Sequence, residues 1–170
     1  LPLYHAGVQH STWKWQTGRR IKRLSQATFG LVGFGKIGRL IWQRMSSFGC
    51  QGLVYDPYLS PEVIAASGAI QVELDDLLSR SDFIHIQSPL TPQTYHLIGE
   101  RELSLLKPDA ILTNTARGPI IDESALYQAL MNGSIAMAGL DDLEEEPAKI
   151  RGWQAENPLI HLPNVIITPH

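Results

Sequence analysis

A glycine-rich turn between an apolar run and a helical pattern is the feature that most constrains the fold of this chain. Residues 28–32 are largely apolar, and a Gly-x-Gly-x-x-Gly sequence at Gly33, Gly35 and Gly38 follows them, with a helical pattern of apolar residues behind it. The first glycine allows a sharp exit from a strand, the second lets the backbone approach a pyrophosphate, and the third lets the helix pack against the strand. The stretch therefore predicts a strand, a phosphate-binding turn and a helix in that order.

A carboxylate at the end of the next apolar run completes this pattern. Asp56 lies 18 residues after Gly38, where dinucleotide-binding domains place an acid that accepts hydrogen bonds from the adenosine ribose. The start of the helix, at Lys36 and Ile37, offers N–H groups and the positive end of the helix dipole to the phosphates. We therefore predict that the turn and Asp56 together bind a dinucleotide.

Asp56 also bears on the choice between the two nicotinamide cofactors. A carboxylate repels the 2′-phosphate of NADP, and residues 57–60 contain no lysine or arginine that would attract it. We therefore expect the cofactor to be NAD.

Composition argues against several classes of function. The chain of 170 residues is long enough for one domain with a substantial core, and its net charge of −3 gives no reason to expect nucleic acid or an anionic membrane as a partner. The single cysteine, Cys50, excludes an internal disulfide and fits a reducing compartment, so we expect a cytoplasmic protein. No apolar run approaches the roughly 18 residues that a membrane span needs. His5, His10, His96 and His161 show no metal-ligand spacing, so no metal site is expected.

Strand and helix patterns alternate along the chain from residue 27 onward. The apolar runs are nearly continuous, which is typical of parallel strands buried on both faces. The seven predicted strands are 28–33, 51–55, 69–72, 82–87, 110–114, 135–140 and 164–168. The five predicted helices lie at about 37–48, 60–67, 74–80, 100–106 and 122–132. This alternation predicts an α/β protein with a doubly wound parallel sheet of the Rossmann type.

The ends of the chain suggest how it is divided. Residues 1–26 are expected to form an N-terminal helix, at 2–13, and an exposed connection, and residues 27–170 to form the dinucleotide-binding domain. Because the chain begins without methionine and ends at Pro169-His170 directly after an apolar strand, we expect it to be a piece of a longer protein.

Polar residues follow several strands at the edge where a doubly wound sheet binds its ligand, the carboxyl ends of the strands. Arg117 follows the fifth strand, where its guanidinium could bind a carboxylate and polarise a carbonyl group, or form a surface ion pair. His170 follows the last strand, and Glu146 ends an acidic run before a proline. His85 lies inside the fourth strand among apolar residues and is interpreted as a core histidine.

Motifs along nearly the whole chain resemble the cofactor domain of the D-isomer-specific 2-hydroxyacid dehydrogenases. The matching motifs are Gly-Leu-Val-Gly-Phe-Gly-Lys-Ile-Gly-Arg (30–39), Tyr-Asp-Pro-Tyr (55–58), Ser-Pro-Leu-Thr-Pro-Gln-Thr (88–94), Leu-Lys-Pro-Asp-Ala-Ile-Leu-Thr-Asn-Thr-Ala-Arg-Gly (106–118), Ala-Gly-Leu-Asp (138–141), Glu-Glu-Pro (145–147) and Asn-Val-Ile-Ile-Thr-Pro-His (164–170). Several separate motifs in the family's order make this resemblance far more specific than the glycine turn alone. It implies a two-domain protein whose substrate domain is absent from this chain.

The resemblance implies a role for each matching residue. Arg117 matches the family arginine that holds the substrate carboxylate and carbonyl, His170 the general acid/base, and Glu146 the glutamate that pairs with that histidine. Asp141 matches the aspartate that contacts the nicotinamide carboxamide. The further residues that the resemblance places near the cofactor are Ser88, Pro89, Thr94, Thr115 and Ala116.

The implied reaction interconverts a D-2-hydroxy acid and its 2-keto acid by hydride transfer. Reduction requires a proton on the carbonyl oxygen, and an imidazole suits proton transfer near neutral pH. A carboxylate such as Glu146 beside His170 would favour the imidazolium, and Arg117 would stabilise charge that develops on the oxygen. The identity of the 2-hydroxy acid stays open, because its side-chain pocket would lie mostly in the absent domain.

A branch of transcriptional corepressors offers the alternative function. These relatives keep the fold and the catalytic-looking residues but act as dinucleotide-responsive scaffolds. Formate dehydrogenases fit less well, because they place an amide side chain beside the histidine where this chain has glutamate.

The resemblance also implies a homodimer formed through this domain, to which the helix at 2–13 with Trp13 and Trp15 could contribute. These aromatic residues could instead contact the absent substrate domain. The chain departs from the family at Asp142, where an apolar residue is common. No motif interprets the loop at 148–162.

Overall fold

The computed structural model of the protein describes residues 8–10, 13, 22–145 and 156–170. The predicted helix at 2–13 lies mostly outside these ranges, and so does Glu146. Within them the seven strands are β1 (Thr28–Val32), β2 (Gln51–Tyr55), β3 (Ile70–Gln71), β4 (Phe83–Ile86), β5 (Ile111–Asn114), β6 (Met137–Leu140) and β7 (Val165–Ile167). The α-helices in the same ranges are α1 (Lys36–Ser46), α2 (Pro61–Ala65), α3 (Leu74–Arg80), α4 (Glu100–Ser104) and α5 (Glu123–Met131).

These elements confirm the predicted strands and helices, each end falling within two residues of the expected position. The described ranges also contain three short 3-10 helices that were not expected: Leu24–Gln26, Gly118–Ile120 and Pro158–His161. The last of them lies within the loop predicted at 148–162, where Pro158 suits a first turn and Asn157 caps it.

The sheet has the strand order β3-β2-β1-β4-β5-β6-β7, and every neighbouring pair is parallel. This order confirms the doubly wound fold. The order of the strands reverses between β1 and β4, and ligands of such sheets bind beside this reversal, at the carboxyl ends of the strands. The glycine turn follows β1 at this point.

Two apolar cores cover the two faces of the sheet. Helices α1 and α2 contribute Trp42 and Ile64 to the smaller one, in which Trp42 packs against strand residues of β1 and β2. Helices α3, α4 and α5 contribute to the larger one, which includes Leu78, Leu103 and Leu126. Because both faces are covered, the central strands are apolar along almost their whole length, as the sequence pattern predicted.

Residues with strong preferences for helix ends mark the ends of two helices. Asp122 caps α5 by accepting a hydrogen bond from the Ala125 N–H at 2.9 Å, and Gly133 follows that helix with φ of 76°. Pro61 stands in the first turn of α2. The longest helix of the described ranges, α1, has 11 residues, and no described helix is long and apolar enough to cross a bilayer.

A buried carboxylate ties together the opposite, amino-terminal edge of the sheet. Asp82, at the start of β4, accepts hydrogen bonds from the Thr28 N–H at 2.7 Å and from the Lys107 ammonium at 3.0 Å, and the Lys22 ammonium lies 2.6 Å away. Burial raises the pKa of Asp82, but these three donors outweigh burial and lower it below its ordinary value. The ionised Asp82 carboxylate therefore links the starts of β1 and β4.

Candidate active site

The glycine turn between β1 and α1 has the geometry that a phosphate site requires. Gly33 has φ of 95°, and a Cβ there would lie 2.8 Å from the carbonyl oxygen of Gln87. A Cβ at Gly38 would lie 2.4 Å from the carbonyl oxygen of Gly33, so α1 packs directly against the turn. In contrast, no atom lies within 4 Å of a Cβ built at Gly35. The first and third glycines therefore pack against the protein, whereas the second, Gly35, leaves room for a ligand.

The start of α1 faces this opening. Gly35 is the N-cap and provides no side-chain hydrogen bond to the helix, and the first N–H groups of a helix have no acceptor within the helix. Lys36 and Ile37 form this first turn, at the positive end of the helix dipole. An anion here would supply the missing acceptors, so the turn fits the pyrophosphate of a dinucleotide.

Asp56 follows β2 and braces the turn. Its Oδ2 accepts a hydrogen bond from the Phe34 N–H at 2.8 Å, and its Oδ1 accepts one from the Tyr58 N–H at 3.0 Å. A carboxylate has about four lone-pair positions, which leaves acceptors for ribose hydroxyls. Asp56 lines a cavity of about 770 Å³ together with Phe34, Gly35, Lys36, Arg39, Leu40, Gln43, Tyr58 and Leu59.

Arg39 lines the same cavity and was missed in the sequence analysis. Its Nε donates a hydrogen bond to the carbonyl oxygen of Phe34 at 3.1 Å, and its guanidinium lies 5.7 Å from the centre of the Phe34 ring. Lys36 and Arg39 therefore bring two positive charges to the wall that also holds Asp56. Both cations lie outside residues 57–60, and their i, i+3 spacing along α1 is the sequence signal that places them on one helix face.

We expect the substitution Asp56→Ala to weaken NADH binding and to reduce the preference for NADH over NADPH. It removes acceptors for the ribose and for the Phe34 N–H, and it removes the charge that repels a 2′-phosphate while Lys36 and Arg39 remain. Hydrogen bonds to a charged group contribute about 1.5–3 kcal/mol each, so the NADH affinity should fall about tenfold or more. Calorimetric titration of the full-length protein with both dinucleotides tests this, with the exposed Asp109→Ala as control. An equal loss of affinity for NADH and NADPH would contradict the role in selection.

The loop after β4 contains three residues that were predicted to lie near the cofactor. The Thr94 hydroxyl donates to the carbonyl oxygen of Pro89 at 2.6 Å and accepts from the Thr91 N–H at 2.8 Å, so it closes the loop on itself. Ser88 is buried, and its Oγ has no hydrogen-bond partner within the described part of the chain. A Cβ at Gly33 would lie 2.9 Å from the Ser88 backbone nitrogen. Ser88 therefore brings a hydroxyl without a described hydrogen-bond partner next to the glycine turn, whereas the Thr94 hydroxyl stabilises the conformation of the loop.

A hydrogen-bonded network joins the carboxyl ends of β4 and β5. Thr115 Oγ1 donates to Gln87 Oε1 at 3.0 Å, and the His85 ring lies 3.2 Å from Gln87 Oε1 and 2.8 Å from Thr113 Oγ1. Burial lowers the pKa of His85, and the contact with Gln87 opposes this only in part. His85 is therefore neutral near pH 7, and this agrees with the interpretation of His85 as a core histidine.

Side-chain hydrogen bonds hold the backbone around Arg117 at the end of β5. Asn114, which is 1% exposed, donates from Nδ2 to the carbonyl oxygen of Arg117 at 2.8 Å and accepts at Oδ1 from the Ala116 N–H at 2.9 Å. The Gly118 N–H donates to Asp142 Oδ2 at 3.2 Å. The side chain of Arg117 is exposed at the carboxyl edge of the sheet. Asn114 was not singled out in the sequence, although a polar residue that ends an apolar strand is a usable signal.

Asp141 and His170 lie together at the ends of β6 and β7. The His170 N–H donates to the carbonyl oxygen of Asp141 at 3.0 Å, and the Thr168 hydroxyl donates to the Asp141 carboxylate. The Asp141 N–H donates in turn to the carbonyl oxygen of Asn114 at 3.0 Å. Asn114 thus connects Arg117 to Asp141, and Asp141 connects both to His170. The structure brings three of the predicted site residues to one edge of the sheet.

Two other expectations concern the stretch after Asp141. Glu146 lies outside the described residues, so its pairing with His170 stays a prediction. Asp142 is buried, and its Oδ1 has no hydrogen-bond partner within the described part of the chain. Asp142 therefore places a carboxylate against the Gly118 backbone.

The comparisons with known proteins agree with this geometry. The chain matches, over residues 1–170, the family described as D-isomer specific 2-hydroxyacid dehydrogenase, NAD binding domain. D-3-phosphoglycerate dehydrogenase of Methanocaldococcus jannaschii is 42% identical over 171 residues, which cover 100% of this chain and 31% of that protein. Glyoxylate reductase of Thermococcus litoralis is 46% identical over 147 residues, which cover 86% of this chain and 43% of that protein.

A solved structure of D-lactate dehydrogenase from Aquifex aeolicus, complexed with NAD and lactic acid, superposes with a TM-score of 0.87 at 33% identity, covering 98% of this chain and 53% of that one. The chain spans 31% and 43% of the length of the two curated relatives above. The Rossmann sheet, the glycine turn and these matches lead to one conclusion. This chain belongs to the D-isomer specific 2-hydroxyacid dehydrogenase family, as its NAD-binding domain.

Proposed function

We propose that the full-length protein interconverts a D-2-hydroxy acid and its 2-keto acid with NAD as the hydride carrier. One observation carries this proposal: the hydrogen-bonded group in which Asn114 joins Arg117 to Asp141, and Asp141 joins them to His170. These contacts involve the backbone of Arg117, Asp141 and His170, and they support the proposal because the three residues then lie on the sheet edge that also holds the glycine turn. The related D-lactate dehydrogenase whose structure holds NAD and lactic acid has the same fold.

Each of these side chains has a task in the proposed reaction. Arg117 binds the carboxylate of the keto acid through its planar pair of N–H donors and stabilises the charge that develops on the carbonyl oxygen. His170 donates a proton to this oxygen in reduction and accepts it in oxidation. Asp141 orients the nicotinamide by contacting the carboxamide group of that ring. Glu146 is the carboxylate that would pair with the imidazolium of His170. When bound, the dinucleotide supplies the hydride.

The proposal extends to assembly and location. A homodimer formed through this domain would cover the exposed apolar side chains near the N-terminus, such as Val8 (47% exposed) and Trp13 (87% exposed). A cytoplasmic location fits the single, unpaired Cys50. Sedimentation velocity of the full-length protein tests the dimer.

The test of the activity is NADH consumption by the full-length protein with a panel of 2-keto acids: pyruvate, hydroxypyruvate, glyoxylate and longer-chain acids. Turnover that is lost in His170→Ala supports the dehydrogenase and identifies its substrate class. Tight NADH binding without turnover of any keto acid would contradict it and would favour the dinucleotide-sensing scaffold of the corepressor branch.

A further inference from the structure

A side chain from the edge strand of the sheet holds the backbone of the loop that carries Asp56. Gln71 ends β3, the outermost strand beside β2, and lies opposite Val54 in that parallel pair. Its Nε2 donates hydrogen bonds to the carbonyl oxygen of Asp56 at 2.9 Å and to that of Leu59 at 3.1 Å. A single amide group therefore joins the first and last residues of loop 56–59.

The chemistry of these contacts determines which end of the Gln71 amide faces the loop. Both partners are carbonyl oxygens, which only accept hydrogen bonds, so the group between them must be the NH₂ with its two donors. The other end of the amide, Oε1, is buried and has no hydrogen-bond partner within the described residues. Because a buried acceptor without a partner costs stability, packing alone does not account for a glutamine at this position.

Loop 56–59 forms one wall of the cavity beside the glycine turn. Three of its residues line this cavity of about 770 Å³: Asp56, Tyr58 and Leu59. The Asp56 carboxylate contacts the turn through the Phe34 N–H at 2.8 Å and its own loop through the Tyr58 N–H at 3.0 Å. The carboxylate of Asp56 is thus held at the turn, whereas the carbonyl group of the same residue is held by Gln71.

The placement of this loop depends on its two ends. Leu59 packs against the smaller core, and α2 begins two residues later at Pro61. The middle of the loop is open to solvent, with Tyr58 81% exposed. Gln71 contacts both ends, so its loss would release the exposed part from the position that the sheet gives it.

We propose that Gln71 is a positioning residue for the adenosine half of NAD: by holding both ends of loop 56–59, it places the Asp56 carboxylate where the ribose binds. A loop that visits several positions binds its ligand only while it is correctly placed, and the apparent dissociation constant rises by the inverse of that fraction. The proposal rests on NAD binding by this domain and on the predicted contact of Asp56 with the ribose. It does not depend on the reaction proposed above.

The binding test compares four variants of the full-length protein: Gln71→Met, Gln71→Glu, Gln51→Met and Gln51→Glu. Methionine and ionised glutamate are similar to glutamine in length, but neither can donate a hydrogen bond to the two carbonyl groups. Gln51 is the matched control, because it is an exposed glutamine at the opposite end of β2. Calorimetric titration should show a dissociation constant of NADH about tenfold higher in both Gln71 variants, as expected for the loss of two ordinary hydrogen bonds. Both Gln51 variants should match the wild type.

Two further measurements distinguish positioning from a merely structural role. ADP-ribose contains the adenosine and the pyrophosphate without the nicotinamide, so its affinity should fall by the same factor as that of NADH. The kcat at saturating NADH and the KM for the keto acid should keep their wild-type values, because β1 and β4 lie between β2 and β5, the strand that precedes Arg117. An unchanged affinity for ADP-ribose would overturn the proposal.

The remaining outcomes also decide. Similar losses of NADH affinity in Gln71→Met and Gln71→Glu support the proposal, since both variants lack the donors and only one adds a charge. A loss confined to Gln71→Glu overturns it, because the added charge would then be the cause. A lower kcat with an unchanged KM for NADH also overturns it, because Gln71 would then only stabilise the fold. If the wild type turns over no keto acid, the proposed function is refuted, while weaker NADH binding by both Gln71 variants still supports the positioning role.

Discussion

Replacing His170 with alanine lowers kcat of the full-length protein by about 10²–10⁴-fold, the usual contribution of a general acid/base, and leaves NADH binding nearly unchanged. The His170 contacts that hold the chain near Asp141 and Thr168 come from its backbone N–H, at 3.0 Å and 3.1 Å, and alanine retains this group. The glycine turn follows β1. Three strands, β4, β5 and β6, lie between β1 and β7 in the sheet. The loss should therefore appear in kcat and not in the affinity for NADH.

Steady-state kinetics with the best keto acid and a fluorescence titration with NADH measure the two effects. His170→Gln is the informative companion, because an amide can donate a hydrogen bond but cannot transfer a proton at neutral pH. Both variants should be similarly slow. If His170→Gln kept most of the wild-type kcat, His170 would orient the substrate and another group would supply the proton.

Replacing Asp82 with alanine lowers the free energy of unfolding by about 2–3 kcal/mol, as expected for the loss of a backbone hydrogen bond to a buried carboxylate together with two partly exposed ion pairs. Asp82 is 5% exposed, and its loss leaves the Thr28 N–H without this acceptor and removes the carboxylate that the Lys22 and Lys107 ammonium groups share. Urea unfolding of the full-length protein measures the change. Asp76→Ala is the matched control, since Asp76 forms an exposed pair with Arg80 on α3 at 2.7 Å and such pairs contribute about 0–1 kcal/mol.

The contribution of Asp82 should also depend on pH, in a direction that its pKa fixes. Because the pKa of Asp82 is lowered in the folded protein, the unfolded chain binds the proton first as the pH falls. The stabilisation is therefore fully present above the unfolded carboxyl pKa of about 3.9 and is lost as the pH falls below it. The difference in stability between the wild type and Asp82→Asn should stay constant from neutral pH to about pH 5 and shrink as the pH falls through about 4 and below. A difference that also stays constant below about pH 4 would show that the charge of Asp82 does not stabilise the fold.

The order and type of the elements follow from the sequence because they depend on local patterns. The continuous apolar runs of β1, β4 and β5 reflect burial on both faces of a parallel sheet, and each was found where it was predicted. Asp122 and Gly133 marked the ends of α5 through the conformations that a capping acid and a glycine favour. The predicted elements ran slightly long, because the residues that flank a strand or helix share its apolar pattern without its hydrogen bonds.

The candidate site was predictable only where a motif carries it. The glycines of the turn are required by steric contacts within a few residues, such as Gly38 against Gly33, and such contacts leave a signature in the sequence. Asn114 and Arg39 were missed, because their importance comes from what they touch. Asn114 matters through the backbone of Arg117, and Arg39 through a cavity that forms only when β2 brings Asp56 beside α1.

The sequence by itself determined the strand and helix order, the dinucleotide turn and the membership of a family, because each depends on residues that are close together in the chain or on motifs in a fixed order. Only the tertiary structure decided which distant groups meet. Glu123 contacts Glu144 and Asn157 at separations of 21 and 34 residues, and Lys107 contacts Asp82 at 25. Such contacts depend on how each helix between two strands packs on the sheet, and they produce no periodic pattern in the sequence. A half-buried acid and an exposed one therefore look alike in the sequence.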